Sequence, residues 1–230
     1  MSVPSLLCLE TATGVCSVLL SRGNEVLAIR VSREEREHAA MLAIYIEQVL
    51  SEAQMKLSDV DAVVVSKGPG SYTGLRIGVA TAKGICYTLD KKLIAIDTPL
   101  AMAADYREQH PELPADAVLV PMIDARRMEV YGAALDCDLN YLEPIRAEIL
   151  TNRSFVQSEN RPHYIFGDAA AKTVEVFNGE SFVNVDTEYN LSARGLLSTG
   201  LRAWNSGVFE DIAYFEPYYL KEFVTKQKQA

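Results

Sequence analysis

Apolar positions along this chain follow two rhythms, and their order predicts the architecture. Short apolar runs bounded by turn residues read as buried strands at residues 6–9, 15–20, 26–31, 61–66 and 93–97 in the first half. Helical spacing appears over residues 32–53, where Ala39, Leu42, Ala43, Ile46, Val49, Leu50 and Ala53 form one stripe, and over 73–87 and 98–108. Ser32-Arg33-Glu34-Glu35 has the S-x-x-E form of a capping box, and Arg22-Gly23-Asn24-Glu25 reads as a hairpin turn. The second half repeats this plan. Strands are expected at 118–123, 129–135, 145–150, 164–166 and 182–185, with helices at 153–157, 169–177 and 192–204. Two copies of a three-strand meander followed by alternating helices and strands predict a duplicated α/β fold. Gln109-His110-Pro111-Glu112-Leu113-Pro114 interrupts both rhythms. The expected lobes are therefore residues 1–108 and 109–211.

One segment stands out chemically. Ser66-Lys67-Gly68-Pro69-Gly70-Ser71-Tyr72-Thr73-Gly74-Leu75-Arg76-Ile77-Gly78 joins a buried strand to a helix. Glycines let backbone N–H groups approach a ligand, and a helix start offers unpaired donors, so strand, glycine loop and helix form a phosphate-handling geometry. The spacing matches neither the Walker A loop nor the dinucleotide fingerprint. A tight turn into a closely packed helix accounts for the same residues equally well. The first hairpin turn, Glu10-Thr11-Ala12-Thr13-Gly14, sets a carboxylate beside hydroxyls, a set that can hold Mg²⁺ and phosphate or simply satisfy a strand end. Glu10, Thr11, Thr13, Gly68, Gly70, Ser71 and Thr73 are thus candidates for a vestigial phosphate or nucleotide site.

Composition narrows the classes. The chain is 49% apolar and 23% charged, as expected of a globular protein, and no apolar run approaches the ~20 residues of a membrane span. The N-terminus lacks the signature of an export signal. Cys8, Cys16, Cys86 and Cys137 form no C-x-x-C pair, which points to a reduced cytoplasmic protein. The net charge of −9 argues against holding nucleic acid unaided, because phosphate neutralisation supplies most such affinity. The only tight basic pairs are Lys91-Lys92 and Arg126-Arg127. His38, His110 and His163 lie too far apart for a helical metal pair, and the H-E-x-x-H and G-x-S-x-G patterns are absent, so no metal ligand or catalytic residue is assigned.

Duplicated βββαβα halves resemble the RNase H-like lobes of the actin, hexokinase and Hsp70 ATPases: mixed sheets with helices, and nucleotide between the lobes. Residues 9–13, the glycine block 68–78, Ile123-Asp124-Ala125-Arg126-Arg127-Met128-Glu129-Val130-Tyr131 and Glu216-Pro217-Tyr218-Tyr219-Leu220-Lys221 together resemble the TsaB (YeaZ) family. Glu10 stands where many members carry Asp. The resemblance implies that residues 212–230 pack back on the first lobe, and it implies a non-catalytic subunit for making threonylcarbamoyladenosine on tRNA, beside the anticodon. It would pair with a TsaD-like paralogue that carries the metal and active site, and with a TsaE-like ATPase. This chain would have no cofactor of its own, with ATP or ADP and a metal on the partner subunits. tRNA would be reached only through the complex, and a second copy would occupy the same face when the chain is alone.

A docking face is legible in the helices. Met41, Ile44 and Tyr45 fall off the core stripe of the helix at 32–53, and Gly74, Gly78 and Ala82 line the next helix with small residues that permit close helix approach. Ala80 and Gly84 repeat the four-residue spacing. The competing reading is a stand-alone ATP-dependent phosphotransferase of the same fold. It would need a catalytic carboxylate, for which Asp124 is the candidate, and a second phosphate turn. Ala125-Arg126-Arg127 has no glycine to make one. A peptidase has no motif support.

Overall fold

The computed structural model describes residues 3–32, 38–156 and 158–221, and the side chains of His38 and Ala39 are not among the described features. The expected capping box at 32–35 and the terminal residues 222–230 therefore lie outside the described residues, wholly or in part. The first sheet comprises β1 (Ser5–Glu10), β2 (Cys16–Arg22), β3 (Glu25–Ser32), β4 (Ala62–Gly68) and β5 (Lys92–Asp97) in the order β3-β2-β1-β4-β5. The second comprises β6 (Val118–Asp124), β7 (Glu129–Leu135), β8 (Tyr141–Ile149), β9 (His163–Phe166) and β10 (Val183–Asp186) in the order β10-β9-β6-β7-β8. The two orders are the same plan read in opposite directions. In each, the meander is antiparallel and the last two strands run parallel to the first. The duplication legible in the sequence is therefore a duplication of sheet topology.

Helices divide the molecule into layers. Helices α1 (His38–Glu52) and α2 (Tyr72–Leu89) cover the outer face of the first sheet. Period-2 alternation puts Leu7, Leu9, Val63 and Val65 on that face and Leu6, Cys8, Ala62 and Val64 on the other. Both faces are buried, so Leu6 to Leu9 of β1 are apolar without a break, as expected where helices cover a sheet on both sides. Helices α3 (Thr98–Gln109) and α5 (Gly195–Ser206) lie between the two sheets. α3 is buried along most of its length, Ala101 to Tyr106 without interruption, because it touches both sheets. The sequence groups α5 with residues 109–211, but the helix packs on β1, β4 and β5 of the first sheet. Gly200 permits this, since a Cβ there would meet the Val64 side chain at 2.9 Å.

The second lobe departs from the first in one place. Where α1 covers the first sheet, the helix expected at 153–157 is a turn over 152–155, and Gln157 lies outside the described residues. Phe155 fills the outer face instead. It is fully buried, its ring would touch a Cβ at Gly132 at 2.9 Å, and the Arg146 guanidinium lies 4.1 Å over it. A short helix, α4 (Ala170–Val176), completes that face. Residues 208–221 then run back along the first lobe without regular structure. Glu210 N donates to Leu93 O at 2.9 Å, Ile212 and Phe215 join the outer core, and Lys83 Nζ donates to Phe215 O at 2.7 Å.

Replacing Gly200 with Leu is expected to destabilise the protein by about 1–3 kcal/mol, because the added atoms have no space against Val64. Gly84→Leu on the open face of α2, where nothing lies within 4 Å of the added Cβ, is expected to have little effect. Urea unfolding of both variants checks the difference.

Candidate functional site

The glycine block is occupied by the protein itself. Ser71 caps α2, accepting from Gly74 N at 3.3 Å, and its own N–H donates to Ala12 O at 2.7 Å. Thr11 Oγ1 donates to Gly74 O at 2.8 Å. A Cβ at Gly70 would sit 2.2 Å from Ala12 O, one at Gly74 2.0 Å from Thr11 O, and one at Gly78 2.3 Å from Thr11 Oγ1. The glycines serve close packing of α2 on the β1–β2 turn, and the space a phosphate would need there is filled by backbone. Gly68, at φ +115°, is needed for another reason: a Cβ there would meet Tyr218 O at 2.5 Å. Of the candidate phosphate residues, Glu10, Thr11 and Thr13 are buried. Gly70, Ser71 and Thr73 remain on the rim of the inter-lobe cleft. The group does not fit nucleotide phosphates in the turn.

The same packing corrects part of the expected docking face. Gly74, Gly78 and Ala82 are buried within the lobe, the two glycines against Thr11, so none of the three can present to a partner helix. Met41 and Tyr45 are half-buried against the outer core. Ala43, placed in the core stripe, is exposed. Ile44 is 43% exposed. The outward surface of α2 carries Ala80, Gly84 and Tyr87 instead, with Tyr87 82% exposed and open space over Gly84. The exposed small residues of α2 thus lie on the side of the helix opposite the glycines of the expected face.

Glu10 has its partners inside the protein. Its Oε1 accepts from Ala12 N at 2.7 Å, and the Ser66 hydroxyl donates to Oε2. Complete burial pushes its carboxyl up to about 7, against the opposing effect of those hydrogen bonds. Asp105 on α3 is also buried. Desolvation raises its carboxyl to about 6; Oδ2 accepts from the Tyr189 hydroxyl at 3.1 Å, and Oδ1 has no hydrogen-bond partner. These two acids and Tyr189 lie where the lobes meet. Among the described residues, no group of three or more His, Cys, Asp or Glu is placed to share a cation.

Between the lobes lies an open cleft of about 800 Å³. One wall is the β1–β2 turn and the start of α2; the other is the end of β6, the β6–β7 turn and Asp168. Asp168 Oδ1 accepts from Asp124 N at 2.8 Å, and Asp124 Oδ1 accepts from Lys172 Nζ at 2.5 Å. Desolvation pushes the Asp168 carboxyl up to about 6. Residues 218–221 line the mouth. Tyr218 N donates to Lys67 O at 2.6 Å, the Tyr219 ring packs 5.0 Å from Tyr72, and Lys221 Nζ lies 2.5 Å from Glu129 Oε2 on β7. This segment therefore ties the first lobe to the second. Asp168 and Lys172 were not singled out by sequence, and Tyr72, Glu129 and Lys221 lay in the quoted motifs without being given a role. For Asp168, the Gly167-Asp168 pair just after a strand, matching the place of Asp124, offered a signal.

The profile of the family described as "TsaD: tRNA N6-adenosine threonylcarbamoyltransferase" matches residues 25–230. The chain belongs to this family. Among curated relatives, the tRNA threonylcarbamoyladenosine biosynthesis protein TsaB of Bacillus subtilis is 32% identical over 141 residues, 61% of this chain and 59% of that protein. The TsaB of Haemophilus influenzae is 38% identical over 128 residues, 55% of this chain and 52% of that protein. These matches thus span between half and three fifths of the relatives' lengths. The crystal structure of YeaZ from Pseudomonas aeruginosa superposes with a TM-score of 0.82 at 27% identity, covering 96% of this chain and all of that one. Within the family, the TsaB (YeaZ) resemblance read from the sequence holds, as does the two-lobe α/β fold.

Gly78→Leu is expected to lower stability by about 1–3 kcal/mol or more, since the side chain would displace Thr11; thermal unfolding checks this. The Glu10 shift also sets a pH dependence. Its folded value of about 7 lies above the ordinary 4.5, so its contribution is fully present below about pH 4.5. It is lost as pH rises through about 7, a difference of roughly 3 kcal/mol. Asp105 acts in the same direction over its lower range. Glu10→Gln should flatten the fall in stability between pH 5 and about 7, read by denaturant titrations at each pH.

Proposed function

We propose that this chain is a non-catalytic scaffold subunit for threonylcarbamoyl transfer to tRNA adenosine beside the anticodon. It acts by docking the outward face of α1 and α2 on a TsaD-like catalytic paralogue. The observation that carries this reading is the use of the glycine block. The turn that would cradle phosphate is filled by Thr11 and Ala12, while the other side of the same helix leaves Ala80, Gly84 and Tyr87 open and the neighbouring α1 leaves Ile44 exposed. Small residues allow close helix approach, and flanking aromatic and aliphatic side chains supply the apolar area found at interface centres. Paralogues of one fold offer equivalent helices, so the same face would join two copies of this chain when the paralogue is absent.

In this reading a TsaE-like ATPase joins the pair. ATP or ADP and the metal belong to the partner subunits, and tRNA is engaged by the assembly as a whole. The place of work is the cytoplasm. The family profile, the names of the relatives and the three buried free cysteines support this, and no helix among the described residues is long and apolar enough to cross a membrane.

The test is reconstitution with a purified TsaD-like protein, followed by tRNA modification with and without this chain. Wild type should bind and stimulate modification. Ile44→Asp and Gly84→Trp should weaken binding by about tenfold or more, on the scale of an interface hot spot, and keep the fold, because both positions are open. Unchanged binding by both variants would place the interface elsewhere. ATP turnover by the isolated chain at an ordinary enzyme rate, about 1–10³ per second, would replace the scaffold reading with the phosphotransferase one.

A further inference from the structure

The β6–β7 turn is built at a conformational cost that docking through α1 and α2 does not explain. Arg126 and Arg127 are consecutive residues with φ of +73° and +52°. Left-handed backbone is disfavoured for residues with a Cβ, and glycine or asparagine is its usual occupant. The strained turn is held by Asp124, whose Oδ1 accepts from Arg126 N at 2.5 Å, and by the pair Ala125 N to Glu129 O at 3.2 Å. Its effect is to display two exposed arginines, Arg126 lining the cleft and Arg127 next to it in the turn. Neither is ion-paired among the described residues, although carboxylates are close by, because Asp124 is taken by Lys172 and Glu129 by Lys221.

Across the cleft the rim continues in aromatic rings, with the exposed Arg76 beside Tyr72 just outside the lining. The Arg76 guanidinium lies 5.3 Å from the Tyr72 ring centroid, and Tyr72 packs at 5.0 Å and 37° on Tyr219. Tyr218 and Tyr219 are 40% and 38% exposed. The Lys221–Glu129 pair ties this segment to β7, so the rings and the β6–β7 turn border one opening.

We propose that this rim is a contact surface for single-stranded RNA, the loop offered by the tRNA substrate of the assembly; the inference rests on the function proposed above. Stacking rings alternating with cations suit unpaired bases on a phosphodiester chain. The acidic wall of the cleft fixes the orientation. Asp124 and Asp168 repel phosphate but can accept from base amino groups and ribose hydroxyls, so the backbone runs along the arginines and the bases turn inward. The chain's net charge of −9 makes this a contribution within the assembly, not an independent binding site.

The experiment uses the complex of this chain with a TsaD-like protein and two labelled probes, an anticodon stem–loop transcript and a fully paired RNA of equal charge. The double variant Arg126→Asn, Arg127→Gly supplies residues that the left-handed turn favours, so its melting temperature should hold or rise. It should weaken stem–loop binding about five- to tenfold and reduce the log–log salt slope by about 1. Tyr219→Ala should weaken the stem–loop several-fold and leave the paired probe unchanged. Unchanged affinity and salt slope in an intact complex would overturn the proposal while leaving the scaffold reading in place. Equal losses on both probes would overturn the single-strand assignment, and dissociation of the complex by these variants would give the rim to the protein partner instead. Failure of the wild-type chain to join or stimulate the TsaD-like protein is a separate result, and it strikes the scaffold reading.

Discussion

The contact between Thr11 and the glycines of α2 is the constraint on which the first lobe is arranged. Thr11 donates to Gly74 O, and the absence of a Cβ at Gly74 and Gly78 lets the helix rest directly on the β1–β2 turn. That approach sets the height of α2 above the sheet. It also turns the first residues of the helix toward the cleft and leaves Ala80, Gly84 and Tyr87 outward. The same contact seals Glu10 beneath the turn, where the carboxyl is satisfied by Ala12 N and the Ser66 hydroxyl, and water is excluded. A geometry suited to cradling phosphate has thus become a packing joint.

The two lobes are held by apolar layers and by a few polar ties at their edges. α3 and α5 fill the space between the sheets, and Phe166, Tyr106 and Tyr189 pack there as a cluster of rings. Asp105 and Glu10 are buried at this junction with raised pKa values, a cost that the surrounding packing must offset. At the cleft mouth the C-terminal segment crosses from Lys67 to Glu129. Charge is sorted around the opening, with Asp124 and Asp168 lining it and Arg126, in no ion pair among the described residues, at its edge. The arrangement follows from which carboxylates already have a lysine partner.

Much of the fold was legible in the sequence because period-2 and helical spacing report which faces are buried, and burial is what a sheet covered by helices demands. The succession of strands and helices along the chain, the duplication and the β–glycine–helix unit followed from that pattern and from turn residues. The sequence also located the glycine block, the Asp124 turn and the Arg126-Arg127 pair. What the sequence could not decide was direction. Glycines four apart on α2 are equally compatible with a partner helix and with the protein's own turn, and only the position of Thr11 distinguished them. The Phe155 turn in place of a helix, the packing of α5 on the first sheet and the crossing of residues 218–221 over the cleft all depend on contacts between segments distant in the chain. No local periodicity encodes such contacts. Spacing thus predicted a duplicated two-lobe plan, and the motifs carried the family resemblance and the candidate residues, whereas tertiary packing decided which of those residues face water, because exposure is settled by what the rest of the chain places against each side chain.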